Sequence, residues 1–188
     1  RRSSDLGDNI VSSTDLYGGT VNLFKNTLKM QGIEVRFADP ADPKNFEKLT
    51  DEKTRAYYGE SCPNPYLRVF PIKEVADIGK KHGIPLIIDN TAAPVICKPL
   101  EHGAAIVMHS LTKYIAGHGT SIGGIIVDSG TFDWVKNPKR QPLFNEPDPS
   151  YNGAVWGRDV PKLTGANIPF AIRARVVLLR DLGAPLSP

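Results

Sequence analysis

The amino-acid sequence predicts an α/β fold, a mostly parallel sheet with helices on both faces. Three observations carry this reading. The apolar period alternates along the chain between strand-like and helix-like spacing, several strand-like runs are apolar at consecutive positions, and glycine follows the helix-like segments. Strands separated by helices and apolar on every position need cover on both faces, which a parallel sheet between helical layers provides.

Residues 9–13, Asn-Ile-Val-Ser-Ser, read as the first strand. Tyr17-Gly18-Gly19-Thr20 follows, after which Val21, Phe24 and Leu28 recur at helical spacing as far as Gly32, a residue suited to ending a helix. A second strand covers 33–37, and Asp42-Pro43 opens a short helix in the order that proline's fixed φ favours. The strand over 55–58 runs into the loop Glu60-Ser61-Cys62-Pro63-Asn64-Pro65. From Pro71 onward, Ile72, Val75, Ala76, Ile78 and Gly79 make an amphipathic helix closed by His82-Gly83, and residues 84–88 form a continuous apolar strand that stops at Asp89. Two more apolar strands, 104–108 and 124–127, have glycine at their flanks. Residues 137–169 are rich in Pro, Asn and Gly and read as a long surface excursion. A helix over 170–182, with Ile172, Val176 and Leu179 on one side, leads out of the domain. The organisation is therefore one domain over 1–169 and an exit helix over 170–188. A chain that opens on Arg1 and stops at Pro188 reads as a fragment of a longer protein.

The gross numbers exclude several classes. With 188 residues and 40% hydrophobic content the chain can bury one real core. Its 23 Lys and Arg against 20 Asp and Glu leave only +3, scattered rather than gathered into a run, which argues against nucleic acid as a partner. Cys62 and Cys97 lack Cys-x-x-Cys spacing, so neither a disulfide framework nor a zinc site is expected, and both are read as buried small hydrophobes. No apolar run approaches the roughly 18 residues of a membrane span, no basic-then-apolar run of the leader type opens the sequence, and the cytoplasm is the expected compartment.

In open α/β sheets ligands collect beyond the carboxyl ends of the strands. Asp89 emerges there from an apolar run, where a lone carboxylate is costly and a cationic partner stabilises it; a turn-capping aspartate is the plainer reading. Lys113 follows an apolar strand and a Ser-x-Thr turn, so a partly desolvated amine able to form a Schiff base is expected, although a single lysine is more often a surface residue. Ser110 and Thr112, with nearby backbone N–H groups, could hold a phosphate beside that amine or form an ordinary hydroxyl turn. Tyr17, ahead of two glycines, could stack on a flat heterocycle or pack in the core. Asn64, fixed between Pro63 and Pro65, offers an amide to a ring oxygen or a substrate carboxylate, or marks only a turn. The glycines of residues 117–124 lack the Lys-Ser/Thr ending of a P-loop and the helix of a dinucleotide fingerprint, and His109 and His118 have no zinc spacing.

Taken together, Tyr-Gly-Gly-Thr, Glu-Ser-Cys-Pro-Asn-Pro, Ile-Asp-Asn-Thr and His-Ser-Leu-Thr-Lys-Tyr, with Lys113 following Asp89 by 24 positions, resemble the Cys/Met-metabolism pyridoxal-phosphate (PLP) enzymes, the cystathionine γ-synthase group of fold type I. The stretches 8–14, 117–124, 146–151 and 180–184 resemble the sulfhydrylase branch of that group. The resemblance implies the aspartate aminotransferase-like large domain, with 1–169 its central part and 170–188 leading to a C-terminal domain absent from this chain. It implies PLP as cofactor, Lys113 as the Schiff-base lysine and proton shuttle, Asp89 on the pyridine nitrogen and Tyr17 stacked on the ring. Ser110 and Thr112 would hold the phosphate, and Asn64 would contact the ring-oxygen side. No metal is implied. The implied reaction is γ-replacement, in which O-acetylhomoserine and sulfide or a thiol give homocysteine or methionine and acetate. Cystathionine γ-synthase, cystathionine γ-lyase and methionine γ-lyase share the same cofactor site and stay open, as does a non-catalytic subunit that keeps the fold. Further phosphate ligands and a substrate-carboxylate arginine are expected from segments and subunits beyond these residues, which implies a homo-oligomer, a tetramer of dimer pairs. Ser61 stands where the group usually has Thr, and Ala92 and Ala93 replace bulkier residues, so pocket shape differs more than chemistry.

Overall fold

A computed structural model of the chain describes residues 7–183. The opening residues and the segment 184–188 of the expected exit region lie outside the described residues. Strand β1 (Asn9–Ser13) is followed by helix α1, which begins as Gly18–Asn22, widens through Leu23–Thr27 and closes at Leu28–Met30. Next come β2 (Glu34–Ala38), α2 (Lys44–Lys48), β3 (Thr54–Glu60), α3 (Ile72–His82) and β4 (Leu86–Asp89). Strand β5 (Ile106–Ser110) leads into a wide turn at Leu111–Ile115 and then β6 (Gly124–Asp128). Helices α4 (Pro142–Asn145) and α5 (Trp156–Thr164) precede α6, which starts at Pro169–Arg173 and runs on through Ala174–Leu179 and Arg180–Leu182. Glycines 32 and 83 follow α1 and α3 with φ of 72° and 70°, the left-handed conformation that ends a helix most cheaply without a Cβ.

The six strands lie in the order β2-β1-β3-β4-β5-β6. The first five run parallel and β6 is antiparallel to β5. Period-two alternation sorts their side chains onto two faces. Val11, Tyr57, Leu86, Ile88 and Val107 meet Phe46 of α2 and Val75 and Ala76 of α3 on one face. Ile10, Tyr58, Ile87 and Met108 gather with Phe24 of α1 on the other, which Ile106 extends toward Trp134, Phe144 and Trp156. The α/β class, with helices on both faces, is thus the fold of the chain.

Three readings need correction. The 137–169 stretch is not a surface excursion: Phe144, Trp156 and Val160 are buried around Trp134 in a core of their own on the second face. Ring centroids 4.4 Å apart for Trp134 and Phe144 show how closely it is packed. Its apolar residues are few but large, so a period count passes over them while a few aromatic rings bury enough area to hold the segment down. Strand β6 is not buried on both faces; Ile125, Ile126 and Val127 are exposed because it is the sheet's edge. The two cysteines are free but only half-buried, and the Cys97 thiol is pushed up by burial.

Candidate functional site

Strands β1 and β3 are neighbours, yet β1 leads outward to β2 while β3 leads the other way to β4. Right-handed crossovers in opposite directions put α1 on one face and α3 on the other, so the chain parts between the carboxyl ends of β1 and β3. A cavity of about 790 Å³ opens at this edge, lined by the loops that follow β1, β3, β4 and β5. Tyr17, Asn64, Asp89, Ser110, Thr112 and Lys113 all line it, drawn together from nearly a hundred positions of sequence.

Tyr17 immediately precedes α1, and its ring is 52% exposed rather than packed in the core. A Cβ built on Gly19 would stand 2.6 Å from Tyr17 Cε1, so the bare glycine is what lets the ring lie where it does. Asp89 ends β4 half-buried, and its Oδ1 accepts the Thr91 amide at 2.8 Å. Asn64 is exposed ahead of a cis peptide to Pro65. The Ser110 amide donates to Thr91 Oγ1 at 2.7 Å, which ties the end of β5 to the loop after β4. Thr112 Oγ1 accepts the Gly123 amide at 3.2 Å and so clips the glycine-rich loop against the wide turn. Lys113 sits in that turn with φ −98° and ψ −121°, outside helical values. It is exposed, so the described residues do not bury its amine as the sequence reading expects.

The sequence reading assigned no role to several residues that build this edge. Glu60 closes β3 at 6% exposure, accepts the Tyr17 amide on Oε1 at 2.8 Å and stands opposite Asp89 in the β3–β4 ladder. Burial first, and then the neighbouring Asp89 charge, push its carboxyl up to about 7. The pKa of Tyr58, two residues earlier, is raised too, by burial and then by Asp89 and Glu60. Ser61 Oγ donates to Asn90 Oδ1 at 2.7 Å, and Asn90 Nδ2 donates to the Cys97 carbonyl at 2.9 Å, joining two loops under the cavity. Arg68 Nε donates to buried Asp15 at 2.8 Å and its Nη2 lies 3.0 Å from Asp39, binding the loops after β1, β2 and β3. The available signal was position: Glu60 is a carboxylate at the end of an otherwise buried strand, as Asp89 is. Among the described residues no group of three or more His, Cys, Asp or Glu is placed to hold a metal ion, and no helix is long and apolar enough to cross a membrane.

Comparison with known proteins gives this edge a context. Residues 2–188 match the family described as Cys/Met metabolism PLP-dependent enzyme. The O-acetyl-L-homoserine sulfhydrylase of Leptospira meyeri is 49% identical over 98% of this chain and 42% of its own length. The homocysteine synthase of Schizosaccharomyces pombe is 47% identical over 97% of this chain and 42% of its own. A solved structure from Campylobacter jejuni, proposed to be an O-acetylhomoserine (thiol)-lyase and carrying a pyridoxyl-lysine monophosphate adduct, superposes with a TM-score of 0.84 at 40% identity. It is covered over 98% of this chain and 45% of that one. The chain therefore spans less than half the length of the relatives it matches.

Proposed function

The chain belongs to the Cys/Met metabolism PLP-dependent enzyme family, and from that premise we propose that the full protein is a γ-replacement transferase. O-acetylhomoserine and sulfide, or a thiol, would give homocysteine, or methionine, and acetate. The observation that carries the reading is the convergence of six side chains, Tyr17, Asn64, Asp89, Ser110, Thr112 and Lys113, on one cavity at the sheet's switch point. The names of the relatives favour this substrate pair over cystathionine.

The residues present suit pyridoxal phosphate. A cavity of about 790 Å³ is in the range that encloses a cofactor-sized ligand. The bare Gly19 lets the Tyr17 ring lie against it at the cavity, and Asp89 offers a half-buried carboxyl to a cation. When bound, the cofactor supplies an electron sink for bonds ionised at the substrate's carbons. Asp89, braced by the Thr91 amide, would face the pyridine nitrogen and favour its protonated form. Tyr17 would form the stacking wall and Asn64 would donate its amide on the ring-oxygen side. Because the Ser110 amide is taken by Thr91, Ser110 would offer its hydroxyl to the phosphate, beside that of Thr112. Lys113 would carry the covalent link to the cofactor and then move protons at the substrate carbons, a task for which its turn leaves it free to swing.

The reading extends to assembly. Tyr66, Leu67 and Val69 on the loop after β3, and Val95 and Ile96 on the loop after β4, are exposed apolar side chains on two of the loops that contribute to the cavity, which Leu67 itself lines. They support a neighbouring subunit closing over that edge, in a cytoplasmic homotetramer of dimer pairs. The test is to give the full-length protein O-acetylhomoserine with sulfide and, separately, cystathionine. Homocysteine synthesis should outrun cystathionine cleavage, and the reverse order would move the protein to a sister activity. A protein that shows no visible absorbance with PLP, and none trapped by borohydride at Lys113, would be a scaffold rather than an enzyme.

A further inference from the structure

Of the charged side chains that line the cavity, Lys113 and Asp89 have roles in the proposed chemistry and Glu60 has none. Its placement is nonetheless specific. The side chain is 6% exposed at the end of β3, beside the point where the chain parts. Its Oε1 accepts the Tyr17 amide at 2.8 Å, while the nearby Asn64 backbone amide favours the charged form of its carboxyl. Tyr17 and Asn64 lie on different loops, and both would touch the cofactor ring. Glu60 is also the direct cross-strand neighbour of Asp89, the residue that would face the ring nitrogen. A buried carboxylate beside a second carboxylate is a costly way to brace a loop, and a neutral acceptor would brace it more cheaply.

We propose that Glu60 is a positioning residue for the cofactor ring: its carboxyl group holds the Tyr17 amide and so fixes the tyrosine wall relative to Asp89. One carboxyl group thereby links the loop after β1, which carries the stacking ring, to the strand pair that ends in Asp89. The carboxyl's raised pKa, about 7, fits a buried group that sheds its charge more readily than an exposed carboxylate does. The inference rests on reading the cavity as a PLP site, but its first step, the anchoring of Tyr17, can be measured without cofactor.

The experiment uses the full-length protein and the variants Glu60→Ala, which deletes the acceptor, and Glu60→Gln, which keeps a carbonyl oxygen for the Tyr17 amide. In the cofactor-free proteins, hydrogen exchange at the Tyr17 amide should be about tenfold faster in Glu60→Ala and within about threefold of the parent in Glu60→Gln, the scale of one buried hydrogen bond. On titration with PLP, Glu60→Ala should bind about tenfold more weakly and lose visible circular dichroism from the ring, and Glu60→Gln should recover most of both. In a Tyr17→Ala background, Glu60→Ala should add much less to the loss, because it acts largely through that ring. Unchanged Tyr17 exchange in Glu60→Ala overturns the anchor. Faster exchange with parent PLP affinity and dichroism overturns the positioning role and leaves a loop brace. Should Glu60→Ala fail to fold, Glu60→Gln decides: parent-like exchange, affinity and dichroism support the proposal, and a tenfold loss of affinity overturns it. A parent protein that binds no PLP overturns the cofactor reading and the positioning role together, and is recognised before any substitution is made.

Discussion

Replacing Gly19 by Ala separates the Tyr17 ring from the stability of the helix it precedes. Gly19 is the second residue of α1, and its φ is not in the left-handed region, so Ala fits the backbone. That exchange stabilises a helical position by about 0.4–1 kcal/mol. The added Cβ would stand 2.6 Å from Tyr17 Cε1 and 3.2 Å from Cδ1, well inside ordinary contact, so the ring must withdraw by roughly 1 Å. It can, because it is half exposed and held by no core packing. Backbone strain is therefore small, and what is lost is the placement of the ring over the cavity. A well-placed aromatic stack is worth about 0.5–1.5 kcal/mol beyond its area, which corresponds to a roughly 2- to 12-fold weaker PLP complex. The assay pairs PLP titration of the full-length protein, read by visible absorbance, with thermal unfolding of the cofactor-free form. Affinity should fall while Tm holds or rises by up to roughly 4 °C. Unchanged affinity would show that the ring's position does not matter to the cofactor, and a Tm lower by several degrees would show that Tyr17 is structural after all.

Lys113→Ala should leave the fold intact, since the residue is exposed in a turn, while abolishing borohydride-trappable cofactor and turnover in the full-length protein; steady-state turnover near the parent rate would refute its role. Asp89→Asn keeps shape, including an oxygen for the Thr91 amide, but removes the charge, so exchange of the substrate α-proton should slow by several orders of magnitude at about 1.4 kcal/mol per factor of ten. Parent-rate exchange would make Asp89 a turn residue. Glu60 should make the cofactor-free protein's stability pH-dependent. Its folded pKa of about 7 exceeds the ordinary 4.5, so the folded state holds a proton that the unfolded state releases, and stability falls as pH rises through that window. The full difference is about 3 kcal/mol at roughly 1.4 kcal/mol per pH unit; because the carboxyl borders an open cavity, about half is expected. Denaturant unfolding at pH 5 and pH 8 should show this loss in the parent and not in Glu60→Gln, and equal pH dependence in the two would rule it out.

Local patterns in the sequence determined much of this protein. Helix α3 was legible from Ile72, Val75, Ala76 and Gly79 because one buried stripe repeats with the helix's own period, and Gly83 closes it in the one conformation that favours glycine. Strand ends were read to within about two residues. The site residues could be proposed because each stands at or soon after the end of a strand, where the backbone leaves the sheet and a polar side chain can face a ligand. What the local pattern could not carry was decided by pairing between distant segments. That β1 sits between β2 and β3, and so opens the cavity at the switch point, depends on which strands join, and period counts are the same for any order. The burial of Glu60 follows from β4 lying beside β3, which sets its carboxyl against Asp89. Thr91 matters because β5 brings the Ser110 amide within 2.7 Å of its hydroxyl. The 137–169 stretch folds down because Trp134 and Phe144 find each other across the second face. Secondary structure answers to neighbours a few residues away, whereas burial, and with it the charge state of a carboxyl and the free area of an aromatic ring, answers to whatever the tertiary fold places alongside.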